Sequence, residues 1–92
     1  MNREHAEIVG IKALGWLVAE EDLIGQFLNM SGSSVDDMRN RAQDPEFLGY
    51  VLDFLMLSDE TVIAFCETAS LPPDTLMQAR MALPGGDIPN WT

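Results

Sequence analysis

The sequence is poor in positive charge, holds one cysteine and one histidine, and has no long apolar run. Five Lys or Arg stand against 15 Asp or Glu, giving a formal charge of −10. Binding to a phosphate backbone depends on cationic contacts that release counterions, so nucleic acid and anionic membrane are not expected partners. The lone Cys66 leaves no intrachain disulfide and no thiolate cluster for a metal. The lone His5 supplies neither a metal-binding pair nor a proton relay. No apolar stretch approaches the roughly 18 residues needed to cross a bilayer, and the first residues lack a basic region followed by an apolar run. A cytoplasmic protein is expected, and a reducing compartment fits the cysteine usage.

Motifs that carry chemistry are missing as well. There is no Asp-rich calcium loop, no Glu-x-x-His pairing, no GxxxxGK[ST] phosphate loop and no GxGxxG. Gly85-Gly86 follows the last apolar segment instead of preceding one. The break at Ser70-Leu71-Pro72-Pro73 invites comparison with a DNA-reading helix-turn-helix. The segment after it, Asp74 to Leu83, carries Arg80 as its sole cation, so the electrostatic footprint is absent. No catalytic, cofactor-binding or metal-ligating residue is assigned, and a protein that is not an enzyme is expected.

What the chain does have is apolar content arranged with helical spacing. Hydrophobic residues make up 47% of its 92 residues, enough for one core and one domain. The first segment, Asn2 to Ala19, opens on a potential Asn2 cap and carries Ile8, Val9, Ile11, Leu14, Trp16, Leu17 and Val18. At about 100° per residue these fill two broad arcs, more apolar surface than one neighbour covers. Gly10 and Gly15 each cost roughly 1 kcal/mol of helicity, so they mark either a close helix crossing or simple tolerance.

Most of the acids fall where helices begin, as helix-start charge on a solvated surface or, alternatively, as a docking face for a basic partner. Glu20-Glu21-Asp22 starts a segment whose face is Leu23, Ile24, Phe27 and Met30, ended by Ser31-Gly32. Ser33 or Ser34 caps a short helix with Asp36 and Asp37 in its first turn and Val35, Met38 and Ala42 on one side. Asp44-Pro45-Glu46 is the clearest start, because Asp accepts from free backbone donors while Pro at the first position loses no bond. The run to Leu57 is apolar around most of its circumference, with Gly49 and Asp53 as its predicted wet strip. Asp59 and Glu60 favour the start of a helix with Val62, Phe65, Cys66 and Ala69 on one stripe. Leu71-Pro72-Pro73 restarts the chain for a sixth helix through Leu76, Ala79 and Leu83.

These segments predict an all-α protein with no sheet, an orthogonal bundle of about six short helices around the central apolar helix from Pro45 to Leu57. Residues 1–86 form the predicted domain. Residues 87–92 form a tail in which Ile88 and Trp91 dock on the domain, or which is mobile or completed by a partner. A shift of 38 residues overlays Phe27 on Phe65, Asp36 on Asp74 and Met38 on Leu76. That relates two helical hairpins either side of the central helix, by shared patterning or by duplication.

The Phe27-Leu28 segment, Val35-Asp36-Asp37-Met38-Arg39, the run Asp44-Pro45-Glu46-Phe47-Leu48 with Val51-Leu52-Asp53-Phe54-Leu55, and Leu71-Pro72-Pro73 with Ala79-Arg80 together resemble a small bacterial family of unknown function. The likeness covers nearly the whole chain and departs at Ser33-Ser34, where a more Leu/Pro-like turn is expected. It implies a short, helical, cytoplasmic protein, found mainly in alphaproteobacteria, and supplies no activity and no site residues.

Surplus apolar surface on the first helix and at the tail points to Ile8, Ile11, Trp16 and Trp91 as a candidate interaction surface. The expected function is a non-enzymatic adaptor or regulator that binds a protein partner or forms a homo-oligomer. The alternative is a small-molecule or lipid carrier with a pocket lined by Met30, Met38, Met56, Met77 and Met81. Asp53, bracketed by apolar residues, either lies on the wet strip or is partly buried and paired with Arg39 or Arg80.

Overall fold

The computed structural model describes residues 1–83 and contains, among them, six helices and no strand. The protein is all-α. Helix α1 (Arg3–Ala19) starts where Asn2 accepts a hydrogen bond from the His5 backbone N–H at 2.8 Å, satisfying a donor the first turn leaves free. Helix α2 (Glu21–Ser31) ends on Gly32, whose φ of 70° is left-handed, with its N–H donating to the Leu28 carbonyl.

Ser34 is the serine that caps α3 (Val35–Asn40). Its hydroxyl accepts from the Asp37 N–H and the Asp37 carboxylate accepts from the Ser34 N–H, each at 3.2 Å, which completes a capping box. Asp44 and Pro45 open α4 (Pro45–Leu55), with Asp44 Oδ1 accepting from the Glu46 N–H at 3.0 Å. Helix α5 (Asp59–Ala69) closes on Ser70, a left-handed residue that is not glycine, at φ 58°. The Leu71 N–H reaches the Cys66 carbonyl and the Ser70 N–H the Glu67 carbonyl, the double bond pattern of a Schellman end. Helix α6 (Thr75–Ala82) follows the two prolines.

All six helices feed one contiguous core. Helix α4 is buried over most of its surface through Phe47, Leu48, Val51, Leu52, Phe54 and Leu55, as its apolar run predicts. Helix α1 is its main counterpart and packs against α2, α4, α5 and α6. Their crossing is close at Gly10, where an added Cβ would stand 2.9 Å from Leu48 Cβ. Phe27 of α2 inserts among Phe47, Tyr50 and Phe54 of α4, with ring centroids 6.0, 5.5 and 5.2 Å away in edge-on geometry. The residues related by the 38-residue shift share their burial: Phe27 and Phe65, and Met38 and Leu76, are all in the core.

Several details differ from the sequence reading. Helix α4 ends at Leu55, and Leu57 projects into solvent. Its wet side is Glu46, Tyr50 and Asp53, whereas Gly49 is buried because the Arg80 side chain lies across it. Met30 and Val35, expected on apolar faces, are exposed. The expected docking of Trp91 and Ile88 lies outside the described residues.

Candidate interaction surface

Helix α1 is apolar on two opposite sides, and only one of them is covered. The inner side carries Ala6, Val9, Gly10, Ala13, Leu14 and Leu17, all buried. The outer side carries Ile8, Ile11, Gly15 and Val18, spaced three and four residues apart and so aligned along one face. The three branched side chains are 48%, 43% and 51% exposed. Gly15 lies between Ile11 and Val18 as a gap in the row, and a Cβ added there would meet nothing within 4 Å.

The charges around this row cancel in sum, although Glu4, four residues before Ile8, continues the same face. Arg3 and Lys12 offset Glu4 and Glu7, and Arg3 Nε lies 3.3 Å from Glu7 Oε2. The formal charge of −10 therefore lies wholly beyond residue 19. At Val18 the row meets a small, mainly apolar groove of about 190 Å3, lined also by Leu14, Ile24, Val35, Met38 and Arg39.

Trp16 does not share this face. It is half-buried, with its ring edge-on to Phe65 of α5 at 5.8 Å, so its apolar area is largely used within the fold. Of the sequence-selected surface residues, Ile8 and Ile11 stand together, and Trp91 lies outside the described residues. Val18 completes the row. Its spacing from Ile11, seven residues, was the signal that could have selected it.

A second apolar concavity, about 480 Å3 and wide open, lies where the end of α4 meets α5 and α6. Met56, Val62, Ile63, Leu76 and Met77 line it, with Asp59 and Asp74 at its rim. Two of the five methionines considered for a pocket are thus here. Met38 is in the core, and Met30 and Met81 project into solvent elsewhere.

Asp53 pairs with Arg80 at 2.7 Å, Nε to Oδ1, linking α4 to α6. The two ends differ in environment: the carboxylate side chain is 50% exposed and the arginine 19%. The guanidinium also covers Gly49, where an added Cβ would come within 3.0 Å of Nη1. Arg39 takes no part in this bridge. Cys66 is buried, and burial followed by the nearby Asp74 carboxylate pushes its thiol pKa up, away from nucleophilic use. His5 lies on the exposed side of the first turn of α1. Among the described residues no three His, Cys, Asp or Glu side chains converge as a metal site, and no helix is long and apolar enough to cross a membrane.

The family model described as "Protein of unknown function (DUF3572)" matches residues 3–86. The chain belongs to this family. No curated protein and no solved structure matches it.

Proposed function

We propose that this family member is a non-enzymatic interaction protein, an adaptor or regulator acting in the cytoplasm, whose contact surface is the outer face of α1. The observation that carries the reading is the row Ile8, Ile11 and Val18, which a six-helix core leaves uncovered although it lies on the best-connected helix of the fold. Leaving apolar area in water forgoes about 25 cal/mol per Å2, so a contiguous exposed row is the kind of surface that association covers. Affinity capture from extract of the protein's own cells tests it. Replacing Ile8 and Ile11 by serine should empty the capture of specific partners without lowering helicity. An unchanged set of captured proteins would refute the assignment.

A second reading is favoured by the groove between α5 and α6. Its apolar lining with two acidic rim residues suits a small apolar or cationic amphiphile, and Met56 and Met77 supply adaptable contacts. Native mass spectrometry of protein purified from its own cells distinguishes the two, since a carrier retains a ligand mass.

A further inference from the structure

Resting on the assignment of the α1 outer face as a contact surface, we infer that its occupant is a second copy of the same chain, placed antiparallel across a two-fold axis near residue 13. The row is complementary to itself in that arrangement. With α1 antiparallel to its copy about residue 13, Ile11 lies opposite Gly15 of the second copy and Ile8 opposite Val18. Because the contact is isologous, each pairing occurs twice. The bulkiest side chain near the axis therefore meets the one position on that face with no side chain and no neighbour within 4 Å of its Cβ site.

Charge selects the same face and the same direction. Two copies each carrying −10 repel, and the outer side of α1 lies within the neutral residues 1–19, where like molecules approach at least cost. A parallel pair would bring Glu20, Glu21 and Asp22 of both copies together. The antiparallel pair keeps these clusters at opposite ends, each beside the first turns of the other α1, where Arg3 bridges Glu7 and Glu4 is the one acid left facing them. A single 17-residue helix about 25 Å long covers less than the roughly 1,200 Å2 typical of a stable specific complex, so the dimer is a weak one.

Sedimentation equilibrium tests the dimer. Wild-type protein should show a monomer–dimer equilibrium below about 1 mM. Raising salt from about 20 to about 150 mM should tighten it by screening self-repulsion, the reverse of docking to a basic partner. Gly15→Leu should weaken dimerisation at least about tenfold, by roughly 1.4 kcal/mol, without lowering the melting temperature of the dilute monomer. Register is read by thiol cross-linking. A mixture of Ile8→Cys and Val18→Cys proteins should cross-link faster than either alone, because the two copies of residue 8 are about 15 Å apart. Buried Cys66 contributes little background.

A protein that stays monomeric to about 1 mM, a dimer indifferent to Gly15→Leu, or Ile8→Cys linking fastest to itself would overturn the inference. If the chain is monomeric yet the Ile8 and Ile11 serine variants still lose captured partners, this inference alone fails. If neither property responds, the contact-surface assignment fails with it.

Discussion

Replacing Gly10 and Gly15 separately by alanine should move stability in opposite directions, although both lie in the same helix. Alanine is favoured over glycine inside a helix by roughly 0.5–1 kcal/mol, mainly through backbone entropy, and this gain applies to both sites. At Gly15 nothing opposes it, since the added Cβ meets open space. At Gly10 the new Cβ would come to 2.9 Å from Leu48 Cβ, an atom fixed to the α4 backbone rather than the end of a flexible chain. Helices α1 and α4 must then separate, and overpacking of this kind costs typically 1–3 kcal/mol. The two variants should differ by about 1–3 kcal/mol, which for a domain of this size is a melting-temperature gap on the order of 5–20 °C. Thermal and urea unfolding by circular dichroism, at concentrations low enough to keep the chain monomeric, measures the gap. A Gly10→Ala protein as stable as Gly15→Ala would refute the close α1–α4 crossing.

The Asp53–Arg80 bridge should be asymmetric under mutation. Asp53→Ala removes a half-exposed partner and should cost about 0.2–1 kcal/mol, whereas Arg80→Ala also uncovers Gly49 and loses stem packing and should cost more; equal losses in chemical denaturation would contradict this. Ser70→Gly should stabilise by about 0.5–1 kcal/mol, because the left-handed φ of 58° strains a residue with a Cβ more than it strains glycine, and a lower urea midpoint would count against it. Moving from low to physiological salt should raise the melting temperature by screening a charge of −10; an unchanged value would show that the acids are too dispersed to matter. Cys66 should resist thiol reagents in the folded state. Its raised pKa means the unfolded thiol ionises first, so its contribution to stability is intact below the ordinary thiol pKa and is lost as pH rises from there through the raised folded value. Labelling as fast as in urea would refute its burial.

The helix starts were the most legible part of the sequence, because caps are local chemistry. Asp44-Pro45 and Ser34 with Asp36-Asp37 specify free backbone donors and the residues that satisfy them within three positions. The double apolar character of α1 was equally plain from periodicity, but which arc faces the core depends on α4 and α6, which are remote in sequence. Gly49 shows the same limit. A glycine carries no hydropathy signal, and the guanidinium that buries it comes from residue 80. Trp16 read as surplus surface because an amphipathic ring fits either setting, and Phe65, 49 residues away, decides it. Met30 and Val35 were expected on apolar faces, yet α2 and α3 each bury a single residue, Phe27 and Met38, because each touches the core along one edge only.

The assignment of the α1 outer face is tested most directly by methyl NMR of labelled protein in concentrated extract of its own cells. The account predicts line broadening concentrated at Ile8, Ile11 and Val18, with Ile63 and Met77 in the α5–α6 groove remaining sharp. Broadening at the groove residues with the α1 methyls unaffected would contradict it.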